Sequence, residues 1–137
     1  MPLDLAALQD RAELTDLVSR LGRWLDGGAL GDPALVLTDD VRVSTPGGVA
    51  EGLEAAAAQA RRAHAVPTQH VISDVLADVN GDHATVSANL VVTFVRPEGL
   101  DTIGERYAFT ATRTAAGWRL SSVGGAQIWR TPGVAHA

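Results

Sequence analysis

The chain lacks cysteine and lysine, and it has fewer basic than acidic residues. With no cysteine among its 137 residues, disulfide bonds, thiolate metal sites and cysteine nucleophiles are excluded. All 11 basic residues are arginine, against 16 acidic residues, which gives a net charge of −5. A negative chain without a basic cluster lacks the electrostatic footprint of a protein that binds nucleic acid or anionic membranes. The sequence therefore predicts neither of these as a partner.

Long hydrophobic runs are also missing, since no stretch reaches the roughly 18 apolar residues that a membrane span needs. The N-terminal segment carries Asp4 and Asp10 where a secretory signal would carry positive charge, so we expect a cytoplasmic protein. The length suits one domain over residues 1–137, with a core at about 8–130 and a loose tail at 131–137. Because only six residues are aromatic and 23 are alanine, each aromatic side chain is expected to have a definite place.

The first half of the chain predicts three helices. Residues 4–26 form an amphipathic pattern, with Asp4 as the N-cap and Gly27-Gly28 as the stop. A short helix is predicted over 32–37 and an alanine-rich helix over 52–65. The apolar stripe of the first helix consists of Leu14, Leu17, Val18, Leu21, Trp24 and Leu25.

From Pro67 onward the period of the pattern changes from 3.6 to 2, which indicates strands. Four long strands, joined as hairpins, are predicted over 68–79, 83–96, 103–114 and 118–129, with 97–101 as a loop. An earlier strand is predicted over 41–45, closed by a turn at Pro46-Gly47-Gly48. Helices followed by a meander of antiparallel strands are typical of an α+β fold. A curved sheet wrapped around helices can enclose a pocket, although fold alone does not establish function.

Several segments together resemble a known family. They are LVSRLGRWLDGG, LTDDVRVSTPGG, the helix start EGLEA, TQHVISDVLADVNGDHATV and ERYAFTATRTAAGWRL. In order and spacing, over about residues 8–130, the chain resembles the SnoaL-like branch of the nuclear transport factor 2-like superfamily. That branch includes polyketide cyclases, scytalone dehydratase, bile-acid dehydratases and relatives of ketosteroid isomerase. The resemblance implies a cone-shaped, half-open barrel of mixed or antiparallel strands around three N-terminal helices. It also implies a hydrophobic pocket and a homodimer formed through the outer face of the sheet.

The resemblance further implies a catalytic pair. Dehydratase-like members carry a histidine in a sequence similar to Thr68-Gln69-His70 and pair it with an aspartate at the end of the first helix, here Asp26. One imidazole can remove and return a proton when its pKa lies near the working pH and a carboxylate fixes its tautomer. Two structural interpretations stay open: Asp26 as a solvated helix end and His70 as a core histidine bonded to a backbone carbonyl.

The chain departs from the family pattern at two positions. Dehydratase-like members have a tyrosine about one turn before the aspartate, where this chain has Leu21, which is assigned to the ligand pocket. Ketosteroid isomerases place their base before the proline of the first strand, where this chain has Thr45, so steroid isomerisation by that mechanism is not expected. An arginine flanked by two aspartates, as in limonene epoxide hydrolase, is also missing.

Four further residues are candidates for ligand binding, each with a structural alternative. Tyr107 can donate a hydrogen bond into the pocket or lie at the core edge, and Asn89 can hold a substrate oxygen or face solvent. Trp24 and Trp129 can wall the pocket against a flat ligand, although core packing is favoured for Trp24. The remaining histidines, His64, His83 and His136, are expected to be exposed, and the four histidines lack metal-ligand spacing.

The sequence thus supports two hypotheses for function. In the first, the chain is a cofactor-independent acid–base enzyme, a cyclase, dehydratase or isomerase, acting on a hydrophobic ring compound such as a polyketide or terpenoid. In the second, the same pocket binds or sequesters an apolar ligand without catalysis. In both, the expected partner is a hydrophobic small molecule.

Overall fold

The computed structural model describes residues 4–28 and 31–131 as two helices and one sheet. The elements, in chain order, are α1 (Leu5–Asp26), a 3-10 turn (Pro33–Leu35), β1 (Leu37–Thr45), β2 (Gly48–Glu51), α2 (Leu53–Ala63), β3 (Thr68–Asn80), β4 (His83–Arg96), β5 (Gly99–Thr114) and β6 (Gly117–Thr131). The tail predicted over 131–137 lies outside the described residues except for Thr131, which ends β6.

The six strands form one sheet in the order β2-β1-β6-β5-β4-β3. All neighbours are antiparallel except β1 and β6, which are parallel, so the sheet is mixed. The sheet is not closed, because β2 and β3 remain at its two edges. The α+β half-open barrel expected from the sequence is confirmed.

The core lies between α1 and the concave face of the sheet. The N-cap prediction for α1 is confirmed, because the Asp4 side chain accepts a hydrogen bond from the backbone N–H of Ala7. The apolar stripe of α1 is buried except for Trp24, which is half-buried. On β4, strict alternation places every second side chain on the concave side: Ala84, Val86, Ala88, Leu90, Val92 and Phe94 are all buried. Period 3.6 on α1 and period 2 on β4 therefore meet in one hydrophobic core.

Three predicted elements differ in the structure. The helix expected over 32–37 is only a 3-10 turn, capped by the Asp32 side chain on the N–H of Ala34. The turn at Pro46 continues into β2, a four-residue strand that completes a hairpin with β1. The expected loop at 97–101 is wrong in its second half, because β5 already begins at Gly99. Asp101 is fixed there by hydrogen bonds from Arg96 and Arg130.

Within the described residues, neither helix has the length and hydropathy required to cross a membrane.

The burial of α1 gives a stability prediction. Leu14 is fully buried and Leu5, on the same helix, is 72% exposed. We expect Leu14→Ala to lower the free energy of unfolding by about 2–5 kcal/mol, because it loses apolar burial and leaves a cavity. Leu5→Ala is the matched control and should change it by less than about 0.5 kcal/mol. Urea denaturation followed by circular dichroism measures both, and equal effects would contradict the assigned packing of α1.

Candidate active site

An apolar cavity of about 140 Å³ lies between the helices and the concave face of the sheet. Aliphatic and aromatic side chains from α1, α2 and the strands form most of its wall, and among the described residues no arginine lines it. The polar side chains that reach the wall are Thr45, Gln59, His64, His70, Glu105 and Tyr107. Any chemistry inside this cavity would depend on this small polar set.

Asp26 and His70 form a hydrogen-bonded pair at one end of the cavity. The distance from His70 Nδ1 to Asp26 Oδ1 is 2.5 Å. The backbone N–H of His70 also donates to both carboxyl oxygens, at 3.0 Å each. The Thr68 hydroxyl donates to Oδ1 at 3.1 Å. His70 lines the cavity with a side chain that is 2% exposed, whereas Asp26 lies behind the imidazole and is not part of the wall.

The local fold brings this pair together. Asp26 is the last residue of α1, and Thr68 and His70 open β3 on the same side of the strand. One turn before Asp26, Gly22 faces β3 without a side chain: an added Cβ would lie 3.0 Å from Ile72 Cδ1 and 3.6 Å from His70 Cβ. The missing side chain lets the end of α1 rest close to β3. Because β3 is an edge strand, the backbone N–H of His70 is not bonded by β4. Asp26 accepts its hydrogen bond instead.

The hydrogen bonds assign the tautomer of His70. A carboxylate only accepts, so Nδ1 carries the proton and Nε2 is the basic nitrogen of the neutral ring. Burial lowers the pKa of His70 below its usual value, and the hydrogen bond to Asp26 opposes this in part. The ring is therefore neutral at neutral pH and ready to accept a proton. Tyr107 remains protonated, since burial, with Glu105 and Asp26 nearby, raises the pKa of its hydroxyl far above the ordinary value.

The structure places some of the predicted ligand-binding residues in the cavity. Leu21, Trp24 and Tyr107 line it. The indole N–H of Trp24 donates to the Gly31 carbonyl at 3.1 Å, which fixes the ring as part of the wall. Tyr107 is buried and packs edge-on against Phe109, with ring centroids 5.1 Å apart.

Asn89 is not in the cavity, and that assignment is wrong. Its neighbours Ala88 and Leu90 are buried on the concave side, so Asn89 points to the convex side of β4. There its amide donates to Asp74 Oδ2 at 2.9 Å. Asp74 lies in a β-bulge of β3 and has a positive φ of 54°. Asn89 therefore supports the bulge.

Trp129 is also wrongly assigned to the pocket. Simple alternation from Val123 would turn it inward, but the register of β6 against β5 shifts by one residue beside Glu105. Such a shift moves the following side chains to the opposite face of the sheet. Trp129 pairs with Gly104 on the convex side, where its indole occupies the space that a side chain at Gly104 would need.

His64 is a cavity residue that the sequence places wrongly at the surface. It follows the last residue of α2, and its Nδ1 donates to the Ala60 carbonyl at 2.8 Å. Its ring stacks on Phe94, with the centroids 5.9 Å apart, and lies 5.2 Å from the ring of His70. Burial lowers the pKa of His64. No sequence signal marks this role, because it depends on where α2 ends over the sheet.

Glu105 is the second residue that the sequence analysis does not single out. It lies on β5 and is 8% exposed, and its Oε1 is buried without a hydrogen-bond partner among the described residues. Burial raises the pKa of its carboxyl group. Alternation along β5 carries the signal, since it places Glu105 on the same face as the buried Tyr107 and Phe109.

Metal binding finds no support in residues 4–28 and 31–131, where no three His, Asp or Glu side chains cluster as ligands. His83 is exposed in this structure, and His136 lies outside the described residues.

The Asp26–His70 pair can be tested by NMR titration of the histidine rings. We expect His70 to titrate below about 6.5 because of burial. Asp26→Asn should lower the pKa of His70 further, because it removes the negative charge that favours the imidazolium. His70→Gln assigns the resonance, and the resonances of the exposed His83 report any global change. A His70 titration that does not respond to Asp26→Asn would contradict the pair.

Several solved structures have a fold similar to that of this chain. The Kfla4162 protein from Kribbella flavida superposes with a TM-score of 0.84 at 26% identity, over 91% of this chain and 95% of that one. An NTF2-like protein with a cystatin-like fold from Novosphingobium aromaticivorans gives 0.78 at 28%, over 90% and 85%. Hexachlorocyclohexane dehydrochlorinase LinA-type3 from Novosphingobium barchaimii gives 0.86 at 22%, over 98% and 99%, a likeness of fold.

A search of curated protein sequences gave no significant match. The sequence profile of the SnoaL-like domain, in contrast, matches residues 6–124. This range contains both helices, the first five strands and every polar residue of the cavity wall. The chain therefore belongs to the SnoaL-like domain family.

Proposed function

We propose that this protein is a cofactor-independent acid–base enzyme of the cyclase, dehydratase or isomerase kind, acting on a hydrophobic ring compound. The observation that carries the proposal is the Asp26–His70 hydrogen bond, with the imidazole in the wall of an apolar cavity. A base on one side and an orienting carboxylate behind it form the arrangement that removes a proton from carbon. An apolar surround keeps the base neutral and ready.

The chemical step requires only groups that the cavity provides. Nε2 of His70 takes a proton from a carbon next to a carbonyl, and the carbon–hydrogen electron pair becomes a double bond. Asp26 accepts the Nδ1 hydrogen bond throughout and stabilises the imidazolium that forms. Tyr107, which stays protonated, donates a hydrogen bond to the substrate oxygen that gains negative charge. The proton then returns from His70 to a carbon or to a leaving group.

The cavity volume supports a compact substrate. A cavity of about 150 Å³ in another protein encloses one benzene molecule, and the cavity here is about 140 Å³. We therefore propose that one six-membered ring is enclosed, with any larger part of the molecule outside. The structurally similar dehydrochlorinase is named for elimination from a substituted cyclohexane, a ring of the same size.

Turnover of defined probes tests the proposal. We expect the protein to accelerate elimination from single-ring β-hydroxy and β-chloro ketones, exemplified by 3-hydroxycyclohexanone and 3-chlorocyclohexanone. His70→Gln should lower kcat/KM by about 10²–10⁴-fold, because it removes the base, and Asp26→Asn should lower kcat as well. The rate is followed by absorbance of the conjugated enone.

His83→Gln is the matched control, since His83 is exposed at the start of β4, and it should retain the full rate. Full activity of His70→Gln would contradict the mechanism. If the probes bind with equal affinity to the wild type and to both site variants and none is converted, the protein is instead a ligand-binding module.

We also propose that two copies pair through the convex face of the sheet. Val71 and Val91 are exposed neighbours on β3 and β4, and the row continues through Gly104 to the exposed Trp129. This row of facing apolar residues has the composition of an interface, and a continuous apolar patch is unusual on a monomer.

Assembly can be measured by light scattering coupled to size-exclusion chromatography. We expect a dimer that Val91→Glu converts to a monomer, because the substitution places a charge in the centre of the row. Leu8→Glu is the control, since Leu8 is exposed on α1 away from the sheet. A wild-type monomer, or a dimer that survives Val91→Glu, would contradict this interface.

A further inference from the structure

Glu105 is a buried acid that takes no part in the hydrogen bonds of the Asp26–His70 pair. It is 8% exposed and lies in the cavity wall, and Oε1 has no hydrogen-bond partner among the described residues. Across the sheet, Gly125 of β6 makes room for it: a Cβ there would lie 3.0 Å from Oε1 and 3.1 Å from Tyr107 Cε1. The site thus accommodates a carboxyl group, and no arginine among the described residues lines the cavity to balance its charge.

An unpaired ionised carboxylate in such a place is strongly disfavoured, and the group takes up a proton instead. In the neutral acid, the buried Oε1 is the carbonyl oxygen. Leaving a carbonyl oxygen without a hydrogen bond costs less free energy than leaving a carboxylate oxygen without one. The second oxygen then carries a hydrogen. Burial raises the pKa of this carboxyl in the direction that favours this form. The titratable groups that share the wall with it are His64 just after α2, His70 from β3 and Tyr107 from β5.

The sheet places Glu105 and His70 in the cavity wall, two strands apart. Glu105 pairs with Leu90 of β4, which pairs with Ile72 of β3, two residues after His70. The two side chains rise from the same concave face, two strands apart, which is a lateral separation of roughly 10 Å. One six-membered ring fits between an acid and a base at this spacing.

From this geometry we infer that Glu105 is a second catalytic residue, a neutral acid that protonates a departing hydroxyl group while His70 removes the carbon-bound proton. The inference rests on the proposed function and names the substrate class: a single-ring β-hydroxy carbonyl compound that loses water. The α-carbon–hydrogen bond breaks, and its proton goes to His70 Nε2. The electron pair forms the carbon–carbon double bond, the carbon–oxygen bond breaks, and the Glu105 proton converts the hydroxide to water. Glu105 regains a proton from the His70 imidazolium through solvent.

Comparison of two leaving groups on one ring tests the role of Glu105. Hydroxide is a poor leaving group that departs much faster when it is protonated, whereas chloride leaves readily without a proton. Glu105→Gln keeps the shape and a hydrogen-bond donor but has no acidic proton. We expect it to lower kcat for 3-hydroxycyclohexanone by about 10²–10³-fold and to lower kcat for 3-chlorocyclohexanone by less than about tenfold. Glu98→Gln, an exposed acid in the turn between β4 and β5, is the matched control and should leave both rates at the wild-type value.

The outcomes separate the two proposals. If His70→Gln abolishes both eliminations and Glu105→Gln suppresses only the loss of water, both proposals are supported. If Glu105→Gln slows the two reactions by the same factor, or slows neither of them, Glu105 is not the acid. The role of His70 then still stands. If the wild type accelerates neither reaction, the proposed function fails and the substrate class with it.

A second measurement does not depend on turnover. The carboxyl carbon of Glu105, in protein labelled with ¹³C-glutamate and assigned by loss of the signal in Glu105→Gln, should show a protonated carboxyl at pH 7. A carboxylate signal at pH 7 would overturn the inference.

Discussion

The Asp26 carboxylate joins the two layers of the site. It accepts hydrogen bonds from the Thr68 hydroxyl, from the backbone N–H of His70 and from the imidazole. At the C-terminal end of α1, the helix dipole disfavours a negative charge by about 0.3–1 kcal/mol. Three donors from β3 offset this cost. The same carboxylate therefore pairs one backbone N–H at the open edge of the sheet and orients the candidate base, so the position of α1 and the geometry of the imidazole are coupled.

Burial in one apolar cavity acts in opposite directions on its acid and its base. It lowers the pKa of His70 and raises that of Glu105, because in both groups it disfavours the charged form. A neutral base and a neutral acid on one face of the sheet are thus consequences of one physical cause. Both groups are thereby favoured in the neutral form, in which the imidazole can accept a proton and the carboxyl group can donate one.

Sequence patterns predicted the parts of the fold that depend on local periodicity. The stripe of α1, the alternation on β4 and the hairpin at Asn80-Gly81-Asp82 agree with the structure. The Asp26–His70 pair was reached through the family resemblance, because its partners are 44 residues apart and no local pattern joins them. Alternation along β5 carries a signal for Glu105, but the sequence analysis does not single this residue out, because an acid on a strand is ordinarily assigned to solvent.

The sequence-based assignments are wrong where a shift of one or two residues decides which face of a strand a side chain occupies or where a helix ends. The extra residue in β6 turns Trp129 to the convex side, and periodicity does not indicate where a strand bulges. The position at which α2 ends brings His64 over Phe94, and helix boundaries are the least certain part of such an analysis. Both errors arise from a shift of one or two residues, which is enough to exchange a surface side chain for one in the cavity.

The cost of the polar groups in the cavity favours an enzyme over a carrier. A protein that only held an apolar ligand would be more stable with aliphatic residues at positions 70 and 105, because a buried acid without a partner weakens the fold. Here a histidine is aligned by Asp26, and Glu105 is accommodated by a glycine on the next strand. Perturbed titratable groups gathered in a cleft are the mark of a site that transfers protons. The arrangement sacrifices stability at two places that face one ring-sized space, and the proton transfer that we propose across that space accounts for both.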